Sequence, residues 1–312
     1  MIDRSDVLAA AERIRGRVRT TPVLEIDAGL FEAPAVFKLE LLQHTGTFKA
    51  RGAFNRILRA DAEGELDRAV GIVVASGGNA GLANAFAAAR LGVPATVYVP
   101  ENAPAVKVAS LRELGATVVL EGSEYAEAYA AAQDAVARTG ALHCHAYDQP
   151  DIAAGAGTLA LELLEQVPQG LDTVLVAVGG GGLMAGVAAA LEGRVRVVGA
   201  EPVTAPTLTT ALAEGRPVDV AVSGVAADSL GARRLGQIAF DVATRTGVQG
   251  VLVTDDDLCE ARAMLWSRWR IVVEHGAAAA WAALISGSYR PAADERLGIV
   301  LCGANTDPSD LG

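Results

Sequence analysis

Short apolar runs alternate with longer stretches rich in Ala, Leu and Glu along most of this chain. Short runs rich in β-branched residues predict buried strands, and the stretches between them have the length and composition of helices. Strands that alternate with helices in this way predict parallel sheets covered on both faces. The predicted strands are 71–75, 95–100, 117–120, 173–178, 195–200 and 297–301, and the predicted helices include 81–91, 125–139, 157–166 and 256–268.

The alternating pattern begins afresh near residues 145–158. This restart predicts a smaller middle domain, residues 46–145, inserted between the two pieces of a larger domain, residues 1–45 and 146–312. Two uncharged stretches, 69–89 and 173–191, are long enough to span a bilayer, but glycine clusters interrupt both of them. We therefore expect them to be strand–loop–helix units inside an α/β protein.

Composition and charge exclude several classes of protein. Hydrophobic residues make up 51% of the chain, and the formal net charge is −11, which disfavours nucleic acid as a partner because phosphate backbones are also negative. The cysteines, Cys144, Cys259 and Cys302, are too widely spaced to indicate a disulfide framework or a zinc site. No charged-then-apolar leader is evident at the start. We expect a reduced, soluble, cytoplasmic protein with no membrane partner.

Lysine is rare in this sequence, with three lysines against twenty-three arginines. Arginine cannot form an imine, whereas lysine does so once its pKa is lowered. Lys49, in residues 45–52 (TGTFKARG), is therefore the best candidate for a chemical lysine, and such a lysine indicates pyridoxal phosphate. The alternative for Lys49 is an exposed position on a helix. Lys38 fits a strand and Lys107 fits the polar start of a helix.

Two predicted strand-to-helix turns carry glycine clusters. At residues 76–81 (SGGNAG), backbone N–H groups and the helix dipole could hold a carboxylate, although a tight turn without a ligand would have the same pattern. At residues 179–182 four consecutive glycines separate a strand from a helix. Because glycine carries a large backbone-entropy cost, something must approach this backbone closely. A phosphate is the usual reason, and close packing is the alternative.

The same glycine run also imitates a dinucleotide-binding fingerprint. Gly180, Gly182 and Ala185 have the spacing of its small residues, and Glu201 follows the next predicted strand. The match lacks the third glycine, lies in the middle of the chain and leaves Lys49 without a role. A nicotinamide enzyme is therefore the weaker interpretation.

Taken together, the lysine segment, the asparagine turn and the glycine run resemble those of the fold type II pyridoxal-phosphate enzymes, and among them the serine/threonine dehydratases. Residues 21–23 (TPV), 200–202 (AEP), 274–277 (EHGA) and 300–305 (VLCGAN) extend the resemblance over nearly the whole chain. It implies an α/β fold with two open, twisted, mostly parallel sheets flanked by helices. It also implies a lyase that converts L-threonine or L-serine into a 2-oxo acid and ammonia by β-elimination.

Other members of this family leave alternatives open. One is a dehydratase for another 3-hydroxy amino acid such as threo-3-hydroxyaspartate, and another is a non-catalytic relative that binds the cofactor or an amino acid. β-Replacement and threonine synthesis fit less well, because the family members that catalyse those reactions have a different amino-acid sequence in the asparagine turn. The resemblance further implies a homodimer. The chain ends soon after the last predicted strand, without the regulatory segment of biosynthetic threonine dehydratases, so we expect a role in amino-acid catabolism.

The resemblance implies roles for individual residues. Lys49 would hold the cofactor as a Schiff base and then take the Cα proton, and Phe48 would pack against the pyridine ring. Cys302 would face the pyridine nitrogen, where other members have serine, and a thiol is too weak an acid to protonate that nitrogen fully. The phosphate would be bound by Gly179, Gly180, Gly181, Gly182 and Leu183, and the substrate by Ser76, Gly77, Asn79 and Ala80, with Asn79 also contacting the cofactor's phenolic oxygen.

Two departures from relatives refine this prediction. Gly77 stands where racemases of the family carry a serine that donates a proton from the opposite face, so we do not expect racemisation. Thr207 stands where racemase-like members have an aspartate for a divalent cation, which favours K⁺. The predicted cation ligands are Glu201, Ala205, Thr207, Leu230 and Ala232, and the alternative is a helix-start glutamate without an ion.

Two further groups have weaker assignments. Glu274 lies where the family places a residue near the cofactor ring, but His275 replaces the usual proline. His143, Cys144 and His145 look like metal ligands, yet on a strand the two histidines share one face while the cysteine points away. We expect the second group to be structural.

Overall fold

The computed structural model describes residues 1–27 and 33–311. Within these residues the strands are β1 (Val23–Glu25), β2 (Ala35–Lys38), β3 (Ile72–Ala75), β4 (Ala95–Val99), β5 (Thr117–Leu120), β6 (Leu142–Cys144), β7 (Thr173–Ala177), β8 (Arg196–Pro202), β9 (Gln249–Val253) and β10 (Leu297–Val300). The helices are α1 (Arg4–Ile14), α2 (Lys49–Ala62), α3 (Asn79–Leu91), α4 (Ala105–Glu113), α5 (Tyr125–Thr139), α6 (Pro150–Gln166), α7 (Gly182–Leu191), α8 (Thr207–Glu214), α9 (Gln237–Thr246), α10 (Asp255–Trp269) and α11 (His275–Ile285).

The strands form two sheets. One has six strands in the order β1-β2-β10-β7-β8-β9, and the other has four in the order β5-β4-β3-β6. All neighbouring strands are parallel except β1 and β2. The predicted α/β fold with two mostly parallel sheets flanked by helices is confirmed. The domain boundaries at 45/46 and 145/146 stay a prediction.

The central strands are apolar because helices cover them. Every residue of β3 and of β7 is buried, which is typical of strands inside a covered parallel sheet. Helix α7 is buried along its whole length, and α11 packs against β7 and β8 with Trp281 fully buried. Helices α3 and α5 pack against β3 and β4 in the same way. The uncharged stretches 69–89 and 173–191 are the predicted strand–loop–helix units, since each holds a strand followed by a helix.

The sequence prediction placed the start of one helix wrongly and missed two strands, β1 and β9. Helix α6 begins at Pro150 rather than at residue 157. The first turns of α6 contain Gly155 and Gly157, and these glycines permit close helix contacts. A Cβ atom on Gly155 would lie 2.7 Å from the Arg51 oxygen, and one on Gly157 would lie 2.3 Å from the Gly186 oxygen. Strand β9 was not predicted.

A buried network of charged groups joins the start of α2 to the large sheet. The Arg51 guanidinium and the Glu40 carboxylate are both fully buried and form an ion pair of 2.7 Å. Glu162 of α6 accepts hydrogen bonds from Arg51 and from the buried Lys38 ammonium, the latter at 2.9 Å. Lys38 also donates to the oxygen of Thr21 at 2.7 Å and to a side-chain oxygen of Gln166 at 2.8 Å. This lysine is therefore structural, as its strand position suggested.

Candidate active site

A cavity of about 70 Å³ lies where several strands of the two sheets end. The glycine run 179–182 follows β7, Cys302 follows β10 and Asn79 follows β3, and β7 and β10 are parallel neighbours. The structure thus brings together all nine residues predicted to bind the cofactor. Those that line the cavity are Phe48, Lys49, Asn79, Gly179, Gly180, Gly181, Gly182, Leu183 and Cys302, together with Leu230 from the predicted cation group.

Lys49 is the first residue of α2, and its amine is surrounded by protein yet partly accessible from the cavity. Its Nζ donates a hydrogen bond of 2.7 Å to the backbone oxygen of Ala146. In the described part of the chain no carboxylate stands within salt-bridge distance of this amine. Burial therefore lowers the pKa of Lys49 to about 8, although Cys302 and Glu274 partly oppose the shift. Such an amine is suited to imine formation and to proton transfer near neutral pH.

Glu274 is a buried carboxyl group opposite Lys49 in the same cavity. The side-chain nitrogen of Asn79 donates to both of its oxygens, at 2.9 and 3.0 Å, while the Asn79 oxygen accepts from Asn305 at 2.6 Å. Burial raises the pKa of Glu274 to about 7, and the hydrogen bond from Asn79 opposes the shift. A carboxyl group that titrates near neutrality can hold or release a proton in this site.

Cys302 lines the same cavity, two residues after the end of β10. Its side chain is 5% exposed, and burial raises the pKa of the thiol well above its usual range. The thiol is therefore neutral at physiological pH. A neutral thiol can share a hydrogen bond with a ring nitrogen but does not supply a full positive charge to it.

Protein contacts or the backbone angle require glycine at positions 180, 181 and 182 of the run 179–182. A Cβ atom on Gly180 would lie 2.4 Å from the ring of Tyr147, and one on Gly182 would lie 2.6 Å from the Tyr147 backbone oxygen. A Cβ atom on Gly179 would lie 3.2 Å from Leu230, and Gly181 has a φ of +84°. Close packing was the weaker alternative in the sequence interpretation, but these contacts and the φ of Gly181 are sufficient to require glycine at positions 180, 181 and 182.

The same run nevertheless offers an anion site. Gly181 caps α7, and the backbone N–H groups of the first helical turn have no intrahelical acceptors. These N–H groups and the positive end of the helix dipole open into the cavity that Lys49 lines. A phosphate therefore fits here without any contribution from a charged side chain.

Residues 76–81 lead into α3, which begins at Asn79, and Gly78 is the N-terminal cap. A Cβ atom on Gly81 would lie 1.9 Å from the Ser76 oxygen, so position 81 admits no residue larger than glycine. Of the predicted substrate ligands, Asn79 lines the cavity, whereas Ser76, Gly77 and Ala80 lie beside it in this turn. Ala80 lies in the first turn of α3, where backbone N–H groups have no intrahelical acceptors, and Ser76 and Gly77 precede the cap.

The predicted cation group lies directly behind the glycine run. Glu201 is fully buried, and its carboxylate accepts the backbone N–H groups of Leu208 and Thr209 at 2.8 and 2.7 Å. Thr207 donates its hydroxyl hydrogen to the Gly179 oxygen at 2.6 Å. Burial raises the pKa of Glu201, and a neighbouring cation would oppose that shift. Ala205 is buried in the turn before α8, and Ala232 follows Leu230 in its loop.

The two histidines of the 143–145 segment are engaged in hydrogen bonds. His145 Nδ1 accepts the backbone N–H groups of Tyr147 and Asp148 at 3.1 and 2.9 Å, and burial lowers the pKa of His145 to about 4. The rings of His143 and His145 lie 6.1 Å apart on one face, as the strand periodicity predicts.

Comparison with known proteins agrees with this geometry. Residues 14–303 match the family model described as "Pyridoxal-phosphate dependent enzyme". The chain is 36% identical to an L-threonine ammonia-lyase from Geobacter sulfurreducens, over 98% of this chain and 76% of that protein. It is 39% identical to a phenylserine dehydratase from Ralstonia pickettii, over 98% and 94%. A serine racemase structure from Dictyostelium discoideum superimposes with a TM-score of 0.89 and 31% identity, over 98% and 99%.

The chain therefore belongs to the family of pyridoxal-phosphate dependent enzymes, and within it to the serine/threonine dehydratase group. The predicted family, its cofactor and its ammonia-lyase class are confirmed by these relatives. The nicotinamide interpretation of the glycine run is wrong. Since serine racemases are similar as well, the relatives do not define the substrate.

Three residues of the site escaped the sequence analysis. Tyr147, Ser229 and Asn305 contact the cavity or its polar groups, but the sequence analysis assigned none of the three a role. Tyr147 follows the histidine segment, Ser229 lies in a loop, and Asn305 ends the VLCGAN segment. Their roles depend on which distant segments meet, which a single sequence does not reveal.

Proposed function

We propose that this enzyme converts a 3-hydroxy amino acid with an uncharged side chain, L-threonine or L-serine above all, into a 2-oxo acid and ammonia. The observation that carries the proposal is the Lys49 amine, which has a pKa of about 8 and lies in one cavity with the glycine run and the asparagine turn. When bound, pyridoxal phosphate supplies the electron sink that stabilises negative charge on the substrate Cα.

Lys49 first provides the amine that attaches the cofactor and then a base for the Cα proton. Its lowered pKa supports the second role, because proton transfer is most efficient when the pKa of the base lies near the working pH. The oxygen of Ala146 orients the amine, and Phe48 lies beside it with the amine 5.1 Å from the ring centre.

The asparagine turn is proposed to hold the substrate carboxylate, with Ser76, Gly77, Asn79 and Ala80 as its ligands. The N-terminus of α3 supplies backbone N–H groups and a favourable dipole for an anion. Asn79 adds a side chain whose two polar atoms are both hydrogen-bonded: its oxygen accepts from Asn305, and its nitrogen donates to Glu274. An anchored carboxylate places the Cα proton in a fixed orientation toward the Lys49 amine.

Elimination is favoured over racemisation by Gly77. A racemase needs a proton donor on the face opposite Lys49, and glycine has no side chain to provide one. A Cβ atom at this position would lie 3.2 Å from a methyl group of Val99, so a serine would fit after a small shift. We expect the parent enzyme to form 2-oxo acid but no D-serine from L-serine, and D-serine to become detectable in Gly77→Ser.

The charges of the cavity support an uncharged substrate side chain. Among the described residues that line it, the ionisable groups are Lys49, Tyr147, Glu274 and Cys302, and no arginine is present. A second carboxylate on the substrate would therefore lie near Glu274 without a cation, since Lys49 is already engaged. Burying an unpaired charge is costly, so we expect discrimination against threo-3-hydroxyaspartate.

The proposal includes three further properties: a bound K⁺ ion, a homodimer and a cytoplasmic location. A K⁺ ion bound near Glu201, Ala205, Thr207, Leu230 and Ala232 would stabilise the segment that carries Gly179. A homodimer and a cytoplasmic location are proposed from the family resemblance and the acidic composition. Among the described residues, no helix has the length and apolar character needed to cross a membrane.

The proposal is tested by measuring 2-oxo acid release from L-threonine, L-serine, L-phenylserine and threo-3-hydroxyaspartate. We expect kcat/KM for the best uncharged substrate to exceed that for threo-3-hydroxyaspartate by at least about 100-fold. The matched control is Lys49→Ala, which should release no 2-oxo acid from any of them. Equal kcat/KM for the acidic substrate would contradict the proposed substrate class.

A further inference from the structure

The segment between β6 and α6 crosses from the four-stranded to the six-stranded sheet, and it is fixed at several points. His145 uses its ring nitrogen to accept the N–H groups of Tyr147 and Asp148. The Asp148 carboxylate accepts the N–H groups of Gln237 and Ile238 at the start of α9, both at 3.1 Å. The crossing segment is therefore held by hydrogen bonds within itself and to the start of α9.

This segment touches both ends of the cofactor site. At one end the backbone oxygen of Ala146 accepts the hydrogen bond from the Lys49 amine at 2.7 Å. At the other end the ring of Tyr147 lies on Gly180, and the backbone of Tyr147 lies on Gly182. Two adjacent residues thus contact the amine that attaches the cofactor and the loop that holds its phosphate.

The ring of Tyr147 makes two close contacts. The His145 ring lies 4.8 Å from it in an edge-to-face arrangement, and the backbone of Gly180 packs directly against it. Three ring atoms would lie within 2.4 to 2.5 Å of a Cβ atom on Gly180, which is far inside van der Waals contact. The ring and the glycine backbone therefore determine each other's position.

We infer that Tyr147 is a positioning residue that holds the glycine run in its phosphate-binding conformation, and that Gly180 is glycine to admit this ring. The inference rests on the proposed cofactor site. It assigns the requirement for glycine at position 180 to a protein side chain rather than to the phosphate itself. The phenolic hydroxyl contributes little, because its contact with the Arg234 oxygen is 3.3 Å long.

The inference predicts how single and double variants bind pyridoxal phosphate. Tyr147→Ala should weaken cofactor binding by roughly tenfold or more, since small displacements of a positioned group carry penalties of this size. Tyr147→Phe keeps the ring and should stay within about threefold of the parent by the same reasoning. Gly180→Ala should weaken binding by about 100-fold, because the added methyl group displaces the ring and the loop together.

The decisive experiment is the double-mutant cycle of Gly180→Ala and Tyr147→Ala, with cofactor dissociation constants measured by absorbance titration and with thermal midpoints as a control for folding. Removing the ring makes room for the methyl group, so the double variant should bind the cofactor as well as Tyr147→Ala alone does. If Gly180→Ala does not fold, recovery of folded protein in the double variant is the supporting result.

A parent enzyme that binds no pyridoxal phosphate would contradict the proposed function instead. The opposite outcome is that Gly180→Ala reduces cofactor affinity, or the yield of folded protein, as strongly in the Tyr147→Ala variant as in the parent. That result would overturn the inference.

Discussion

Lys38 and Lys49 lie eleven residues apart, and both amines are surrounded by protein, but their partners differ. Lys38 is fully buried and donates to Glu162, Gln166 and the Thr21 oxygen. Lys49 donates to the Ala146 oxygen and has no carboxylate within salt-bridge distance among the described residues. Burial lowers the pKa of both amines, and for Lys38 the neighbouring Glu162 carboxylate opposes the shift.

This difference separates a structural lysine from a chemical one. A buried ammonium that is paired and fully hydrogen-bonded remains charged and serves to join elements of the fold. A buried amine without a counter-ion is held near its point of deprotonation, where it can act as nucleophile and base. The burial of both residues would not have distinguished them, whereas their partners do.

The largest expected effect comes from Lys49→Ala. This change should reduce kcat for 2-oxo acid release by at least about 10³-fold, because it removes both the attachment point and the base. The free energy of unfolding of the cofactor-free protein should not fall, since an amine with an unfavourable burial is removed. Activity is measured by 2-oxo acid release and stability by urea unfolding. Substantial residual activity would assign the chemistry to another group.

The matched change at the structural site, Lys38→Met, should have the opposite outcome. Removing the Lys38 ammonium breaks its ion pair with the partly buried Glu162 carboxylate. Breaking a buried pair typically lowers the free energy of unfolding by about 3 kcal/mol or more, so the variant should be less stable than the parent. The refolded holoenzyme should keep kcat within about threefold of the parent, because Lys38 does not line the cavity. A stable Lys38→Met protein without activity would contradict the separation of roles.

The carboxyl groups near the two lysines provide a third test: Glu274 lines the cavity with Lys49, and Glu162 is hydrogen-bonded to Lys38. Glu274 has a pKa of about 7 in the folded protein and 4.5 as its ordinary value, so the folded state binds more protons between these pH values. Its contribution to stability is therefore fully present below pH 4.5 and is lost as the pH rises through about 7. Glu274→Gln should remove this part of the pH dependence of the free energy of unfolding. In a plot of kcat/KM against pH, the same variant should lose the change in slope near pH 7.

Glu162→Gln serves as the control for that change. Arg51 and Lys38 lower the pKa of the Glu162 carboxyl below its usual value despite its burial, so its contribution to stability is lost on acidification instead. The variant should be less stable at neutral pH and leave the change in slope near pH 7 in place. An unchanged pH profile in Glu274→Gln would show that the group that titrates near pH 7 is a different one.

The smallest expected effect is the removal of K⁺. Replacing K⁺ by a tetraalkylammonium salt at constant ionic strength should lower kcat several-fold, because the Glu201 region supports Gly179 but does not touch the reacting atoms. Glu201→Gln should lower activity in K⁺ and abolish its dependence on the ion. Equal activity with and without K⁺ in the parent enzyme would favour the alternative, in which Glu201 serves as a helix-start glutamate.

The sequence was most informative where the signal was local. Residues 173–191 could be predicted as strand, glycine turn and helix because their apolar run and glycines are contiguous. The start of α6 could not, because Gly155 and Gly157 are glycines on account of contacts with α2 and α7, which are distant in sequence. The strand β9 was missed because its alternating run is short and carries a glycine.

The glycine run shows a second limit of sequence reasoning. A close approach to the backbone was correctly inferred from four consecutive glycines, but the groups that approach it are Tyr147 and Leu230. The partners of Lys38, Glu162 and Gln166, lie more than a hundred residues away along the chain. Pairings of this kind follow from the fold, so the distinction between the two lysines required the structure.

The most direct test of the central claim is to reduce the pyridoxal-phosphate-loaded protein with borohydride and to map the modified residue by mass spectrometry. The chain has three lysines, so each can be scored separately. We predict one cofactor per chain, attached to Lys49, with Lys38 and Lys107 unmodified. Modification at Lys38 or Lys107 instead of Lys49, or no attached cofactor at all, would contradict the account.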